Sequence, residues 1–213
     1  MQSNFTLNSA LTRWSTAGAT LHGHGDDDLP ALIAAARLPD PAYVHPYVPA
    51  YDAICHRFGP SSAEAAAHLA DTLPRDHRTL LLITADHGRR DLHPAALRWP
   101  TRTPELTALL SGVPFGEERV TYLNVPERHL TQVRALLTLH AHVYGARDLW
   151  NAGLFGPPRS SFRARTGNLI AVARDDQTLG RTSPVGHMFE DLWGLHGGWS
   201  STEMLVPVIA LTT

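Results

Sequence analysis

Thr79–Ala85 (TLLLITA) is the strongest strand signal in the chain, and it ends abruptly in Asp86-His87-Gly88. The run is apolar on both faces. A central strand of a parallel sheet needs that pattern, because helices cover both of its sides. In open α/β sheets, ligands bind outside the carboxyl ends of the strands. Two consecutive metal-competent residues at such an end read as a site, and the glycine after them lets the chain turn sharply and approach a ligand. The plainer reading is an Asx turn leaving the strand.

Strand and helix signals alternate along the rest of the chain. The class is therefore α/β, with a mostly parallel central sheet flanked by helices. The pattern predicts a helix over 5–18, then a loop, Leu21–Asp28 (LHGHGDDD), feeding a helix at about 28–37. A short strand follows at 42–48, then a helix over 61–73 behind Gly59-Pro60, with Ser61 or Ser62 as its cap. After Pro100 the texture changes. A short helix near 104–110, a strand at 119–125, a helix at 127–140 and a strand at 168–173 read as a small α/β subdomain. The expected organisation is a core from residues 1–100 and 186–213, with the subdomain at 101–185. Ser200 and Glu203 have the spacing of a capping box.

Composition excludes several classes. The chain has 213 residues and one cysteine, Cys55. An internal disulfide is impossible, and so is a Cys-rich zinc module. The formal net charge is −2, so no basic field points to nucleic acid or to an anionic membrane. The longest apolar runs, such as Leu80–Ala85 and Met204–Leu211, fall far short of the roughly 20 residues that span a bilayer. The N-terminus lacks the pattern of a signal peptide, which leaves the cytoplasm as the default compartment. All eighteen cationic residues are Arg, which reads as coding bias rather than mechanism.

There are thirteen histidines, and their placement matters more than their number. Asp52 and His56 are four residues apart. On a helix they share a face, about 5–6 Å apart at Cβ, and that spacing can chelate one ion. Alone, the pair reads equally as a surface pair or a cap. His196 stands in Gly194-Leu195-His196-Gly197-Gly198, where the glycines vacate the space around the imidazole. Taken together with Asp86 and His87, two Asp and three His offer hard oxygen and borderline nitrogen donors. That mix suits Zn²⁺, and Mn²⁺ less exclusively.

The segments YDAICHRFGPSS, LLITADHG and GLHGGWSSTEMLVPVI resemble the alkaline phosphatase superfamily, and within it the type I phosphodiesterase/nucleotide pyrophosphatase branch. The order D-x-x-x-H, then DHG, then H-G-G-x-x-x-x-E-M-x-V-P is similar to the metal-binding half of that catalytic domain. The resemblance is strong over about 40–90 and 185–210 and loose between them. It implies an alkaline-phosphatase-like fold and two divalent metal ions, zinc above all. By position, Asp52, His56 and His196 would hold one ion, and Asp86 and His87 would bind the second. The implied substrate is a small phosphate ester such as a nucleotide. Two metals would clamp the attacking and leaving oxygens of an in-line displacement at phosphorus.

The family's first metal-binding Asp and its Thr or Ser nucleophile have no counterpart upstream of Asp52. The chain therefore resembles the C-terminal half of such a domain. The expectation is a phosphodiesterase-type site whose second metal position is incomplete and whose phospho-enzyme route is lost. Other branches of the superfamily (phosphomonoesterase, phosphoglycerate mutase or sulfatase) compete with this reading. So does a non-catalytic metal-binding remnant. A missing half would expose an apolar sheet edge or helix face and favour self-association.

Weaker signals remain. His22 and His24 read as loop residues, with a metal site as the alternative. Cys55 reads as packing and His45 as a core histidine. Trp193 and Trp199 anchor the His196 loop, or stack on a base. Arg89 and Arg90 are a solvated pair, or contact a phosphate. The Arg165–Asn168 turn reads as structural.

Overall fold

A computed structural model describes residues 17–18, 45, 48–72, 80–92, 103–157, 160–179 and 192–212. The reading at 28–37, that at 5–18 apart from residues 17–18, most of the 42–48 strand, and His22 and His24 lie outside these residues. His45 is exposed, not a core residue.

The element order is α1 (Pro49–Phe58), α2 (Ala63–Thr72), β1 (Leu80–Thr84), β2 (Arg90–Asp91), α3 (Pro104–Thr107), β3 (Phe115–Gly116) and β4 (Val120–Leu123). A 3₁₀ turn (Glu127–His129) leads into α4 (Leu130–Leu137), β5 (Ala141–Gly145), α5 (Ala146–Asn151), α6 (Ser160–Arg163) and β6 (Leu169–Ala173). The chain closes with β7 (Gly194–Leu195), α7 (Ser201–Met204) and β8 (Val208–Thr212).

The largest sheet has four strands in the order β3-β4-β6-β5, all drawn from residues 115–173. Its central strand β6 is buried at every position. On one face Leu169, Ala171 and Ala173 join Leu106, Leu123, Val133, Leu137 and Leu179 in the main core. On the other, Ile170 and Val172 pack with Val120 and Ala146, flanked by Tyr122, Tyr144 and Phe155. Asn168 pins the neighbouring segment, accepting from Val125 N–H at 2.8 Å and donating to Val125 C=O at 2.6 Å. That is the structural role read for the turn before it.

The expected mostly parallel sheet is not what forms. Every strand pairing among the described residues is antiparallel. A run that is apolar on both faces says nothing of its neighbours' direction. β6 shows this, because it is fully covered inside an antiparallel sheet. β1 departs further from its reading. It pairs only with β8 among the described strands, Ile83 opposite Ile209. One face of that pair is open, with Leu80 64%, Leu82 61% and Val208 77% exposed.

β2 and β7 form the smallest sheet, Arg90 opposite Leu195 and Asp91 opposite Gly194. This short ladder brings the segment after Asp86-His87-Gly88 against the segment before His196. Gly194 has no room for a side chain, since a Cβ there would sit 2.3 Å from Cys55 C=O. Cys55 is itself fully buried, as its packing role requires. Trp193 N–H donates to His56 C=O at 2.9 Å, which fastens the same segment to the end of α1.

Gly167 has a φ of +59°, and a Cβ there would meet Leu123 C=O at 2.2 Å. Gly112 has open space around it. Gly167→Ala should therefore destabilise the chain by about 2 kcal/mol or more, from overpacking and strain together. Gly112→Ala should stay within about 0.5 kcal/mol. Urea melts of the two variants check this; equal melts would contradict the packing described.

Candidate metal centre

Asp52 and His56 lie one turn apart on α1, whose first residue is Pro49, a good fit to the start of a helix. His56 Nε2 stands 3.5 Å from Asp52 Oδ2. The other ring nitrogen, Nδ1, is 2.7 Å from Gly194 C=O. A carbonyl only accepts, so Nδ1 carries the proton and the lone pair falls on Nε2, on the Asp52 side. A second hydrogen bond of this kind orients a histidine for a metal.

Asp86 and His87 follow the C-terminal end of β1, where the sequence pattern puts a site. His87 Nε2 lies between two carboxylates, 3.9 Å from Asp52 Oδ1 and 3.6 Å from Asp86 Oδ1. Its Nδ1 is 3.0 Å from Gly88 C=O. The sequence reading of Gly88 as a site for close ligand approach is redirected here. A Cβ on Gly88 would sit 2.1 Å from Thr202 C=O, so the close approach is to α7. Gly88 N–H also donates to Glu203 C=O at 2.8 Å.

His196 follows β7 and lies face to face with His87, ring centroids 3.7 Å apart and planes 15° from parallel. Its ring centroid is 5.3 Å from that of His56. Burial pushes the His196 imidazole down to about 4, and the charges of His87, Arg89 and His56 push the same way, against Asp86. It is therefore neutral at pH 7, the form that binds a metal. All five residues named from the sequence thus fall in one cluster.

Among the described residues, Asp52, His56 and His196 are the one group of three acidic, His or Cys side chains able to hold an ion. Their donor atoms lie within 4.8 Å of one another. Two ligands on a tetrahedral zinc are about 3.4 Å apart, given metal–ligand bonds of about 2.0–2.1 Å. A small closure of three side chains bridges that difference, so the donor set fits a zinc-like ion. Asp86 is 75% exposed, and with His87 it makes a looser pair. Arg89, whose side chain is 7% exposed, forms an ion pair with Asp52. This corrects the picture of a solvated pair: Arg89 belongs to the cluster, whereas Arg90 turns away to Asp176.

The loop carrying His196 is held by Glu203. The carboxylate accepts from Arg119 Nε at 2.8 Å and Nη2 at 2.9 Å, Gly198 N–H at 2.9 Å and Ser200 Oγ at 2.6 Å. The capping box read from Ser200 and Glu203 is thereby altered, because the carboxylate reaches Gly198 N–H and not the Ser200 backbone. Trp199 rests against Tyr144 on β5, centroids 5.2 Å apart, in the anchoring role read for it. Trp193 is 47% exposed. Arg119 escaped the sequence reading altogether. Nothing local marks an arginine 84 positions from its partner.

Among known proteins, no family model matches the chain, and no curated protein matches its sequence. Solved structures resemble its fold. Human ectonucleotide pyrophosphatase/phosphodiesterase 5 gives a TM-score of 0.53 at 17% identity, covering 89% of this chain and 54% of that one. The murine protein, as an inactive variant in complex with AMP, gives 0.53 at 18% identity, covering 88% and 52%. A weaker likeness, with a TM-score of 0.49 at 20% identity over 75% and 43%, is to phosphonoacetate hydrolase from Sinorhizobium meliloti. What the chain shares with the phosphodiesterases is the fold. It spans about half their length. No helix among the described residues is long and apolar enough to cross a membrane.

The Glu203 carboxyl has a folded value of about 2 against an ordinary 4.5. Burial alone would raise it; Arg119, Ser200 and Gly198 N–H together outweigh burial. The stability it contributes is complete above pH 4.5 and is lost as pH falls toward 2. His196 acts in an earlier window, between 6.5 and 4, where the unfolded chain takes up a proton that the folded one refuses. Urea midpoints should therefore fall in two steps on acidification, and Glu203→Gln should remove the lower step. A Gln variant that keeps both steps would contradict the assignment.

Proposed function

We propose that this chain carries a metal-dependent site for hydrolysing phosphate esters, of phosphodiesterase or nucleotide pyrophosphatase type. The observation that carries the reading is the convergence of Asp52, His56 and His196, with Asp86 and His87 beside them, at the C-terminal end of β1. The motif order in the sequence supports it, and so does the fold shared with phosphodiesterases.

In this reading Asp52, His56 and His196 hold one divalent ion, Zn²⁺ as the first candidate and Mn²⁺ as the second. Asp86 and His87 are donors for a second. Such ions neutralise phosphate charge and lower the pKa of bound water. The chain's own residues do the rest. Gly194 C=O and Gly88 C=O hold the His56 and His87 rings through their Nδ1 atoms. Arg89 is the cation already facing Asp52. In this reading it meets an anionic substrate by forked hydrogen bonds. A nucleotide or another small phosphate ester is the substrate class we favour.

A two-donor position binds an ion more weakly than a three-donor one, so one tightly held ion per chain fits the residues better than two. Activity of this chain should then be metal-dependent but slow, without a covalent phospho-enzyme. Bis-p-nitrophenyl phosphate tests this, with zinc or manganese added back after chelation. Hydrolysis should require the metal and fall at least about 100-fold in Asp52→Ala and in His196→Ala. A rate unaffected by chelator and by both substitutions would overturn the proposal.

A further inference from the structure

We infer that Arg119 and Glu203 are positioning residues for His196, setting the metal-binding loop against the four-stranded sheet. The inference rests on the metal-site reading above. Both side chains are essentially buried, 1% and 0% exposed. Arg119 is fixed from the sheet side. Its C=O accepts from Ala173 N–H at 2.9 Å, at the end of β6, and its Nη1 donates to Gln177 C=O. The fork of the guanidinium then meets both oxygens of Glu203.

Glu203 passes that position on in two directions. Its carboxylate takes the N–H of Gly198, two residues beyond His196. Its C=O takes the N–H of Gly88, next to His87. One residue therefore sets the spacing between the two histidine-bearing segments whose rings stack at 3.7 Å. Gly198 must be glycine for this, since a Cβ would lie 2.5 Å from Glu203 Oε1. A bidentate Arg–carboxylate pair fixes orientation as well as distance, which a lone charge does not.

A purely structural pair would do its work by packing, and the two roles can be separated. Replacing a buried ion pair by apolar residues of similar volume often leaves stability unchanged or raised. The double variant Arg119→Met/Glu203→Leu keeps the volume and removes the acceptor for Gly198 N–H. Zinc affinity of the full chain would be measured by calorimetry for wild type and for this variant. The His196 ring signal would be followed by NMR in the metal-free proteins.

Positioning predicts zinc binding about 10- to 100-fold weaker in the double variant, the range for residues that orient ligands. It also predicts a His196 signal moved from its stacked position toward that of free histidine, with the thermal midpoint little changed. A folded double variant with wild-type affinity and an unmoved signal would overturn the inference. If wild type itself binds no zinc, the metal-site reading fails. The positioning claim is then decided by the His196 signal alone: moved in the variant supports it, unmoved overturns it. If that double variant does not fold, a second apolar pair, Arg119→Leu/Glu203→Met, which likewise removes the acceptor for Gly198 N–H and leaves no unpaired buried charge, carries both readouts with the same two outcomes.

Discussion

The Glu203 carboxylate accepts four hydrogen bonds inside the protein, two of them from a guanidinium that is itself buried. Much of the arrangement around the candidate site depends on that contact. Leaving either partner alone would strand a charge in a low-dielectric interior, at about 3–5 kcal/mol. The pair therefore forms only when β4, the end of β6 and the His196 loop are all in place. It ties the geometry of a metal-competent loop to the sheet that carries the main core among the described residues.

The two regions it joins differ in character. β6 is covered on both faces and its sheet carries the main core. The β1–β8 pair bears the DHG turn at one end and leaves apolar side chains exposed on one face. Two close backbone approaches flank the site residues. Gly88 and Gly194 each let another backbone come closer than any side chain would permit. The imidazoles of His56 and His87 are each oriented by a backbone carbonyl. Backbone hydrogen bonds around a few small residues thus orient two of the three imidazoles.

Much of the site was legible in the sequence, and less of the fold was. Asp52 and His56 at helical spacing, the DHG turn after an apolar strand, and a histidine between glycines each carry a local signature. Their meeting in space has no local signature; it is expected only from the resemblance of the motif order to a known domain. Strand direction has no such signature. The strands Leu80–Thr84 and Leu169–Ala173 come from runs alike in apolar pattern, yet only the second strand is buried throughout. What differs is which partners cover them, a long-range property. The same limit hid Arg119, whose partner lies 84 residues on, and placed Glu203 in a local cap that the tertiary pairing displaces.

The central claim is that Asp52, His56 and His196 share one ion. X-ray absorption at the zinc edge of the zinc-loaded chain tests it most directly. The account predicts a four-coordinate zinc with two imidazoles at about 2.0–2.1 Å and the remaining positions filled by oxygen. The imidazole count should drop to one in His196→Ala. A zinc without imidazole scattering, or one whose spectrum His196→Ala leaves unchanged, would contradict it.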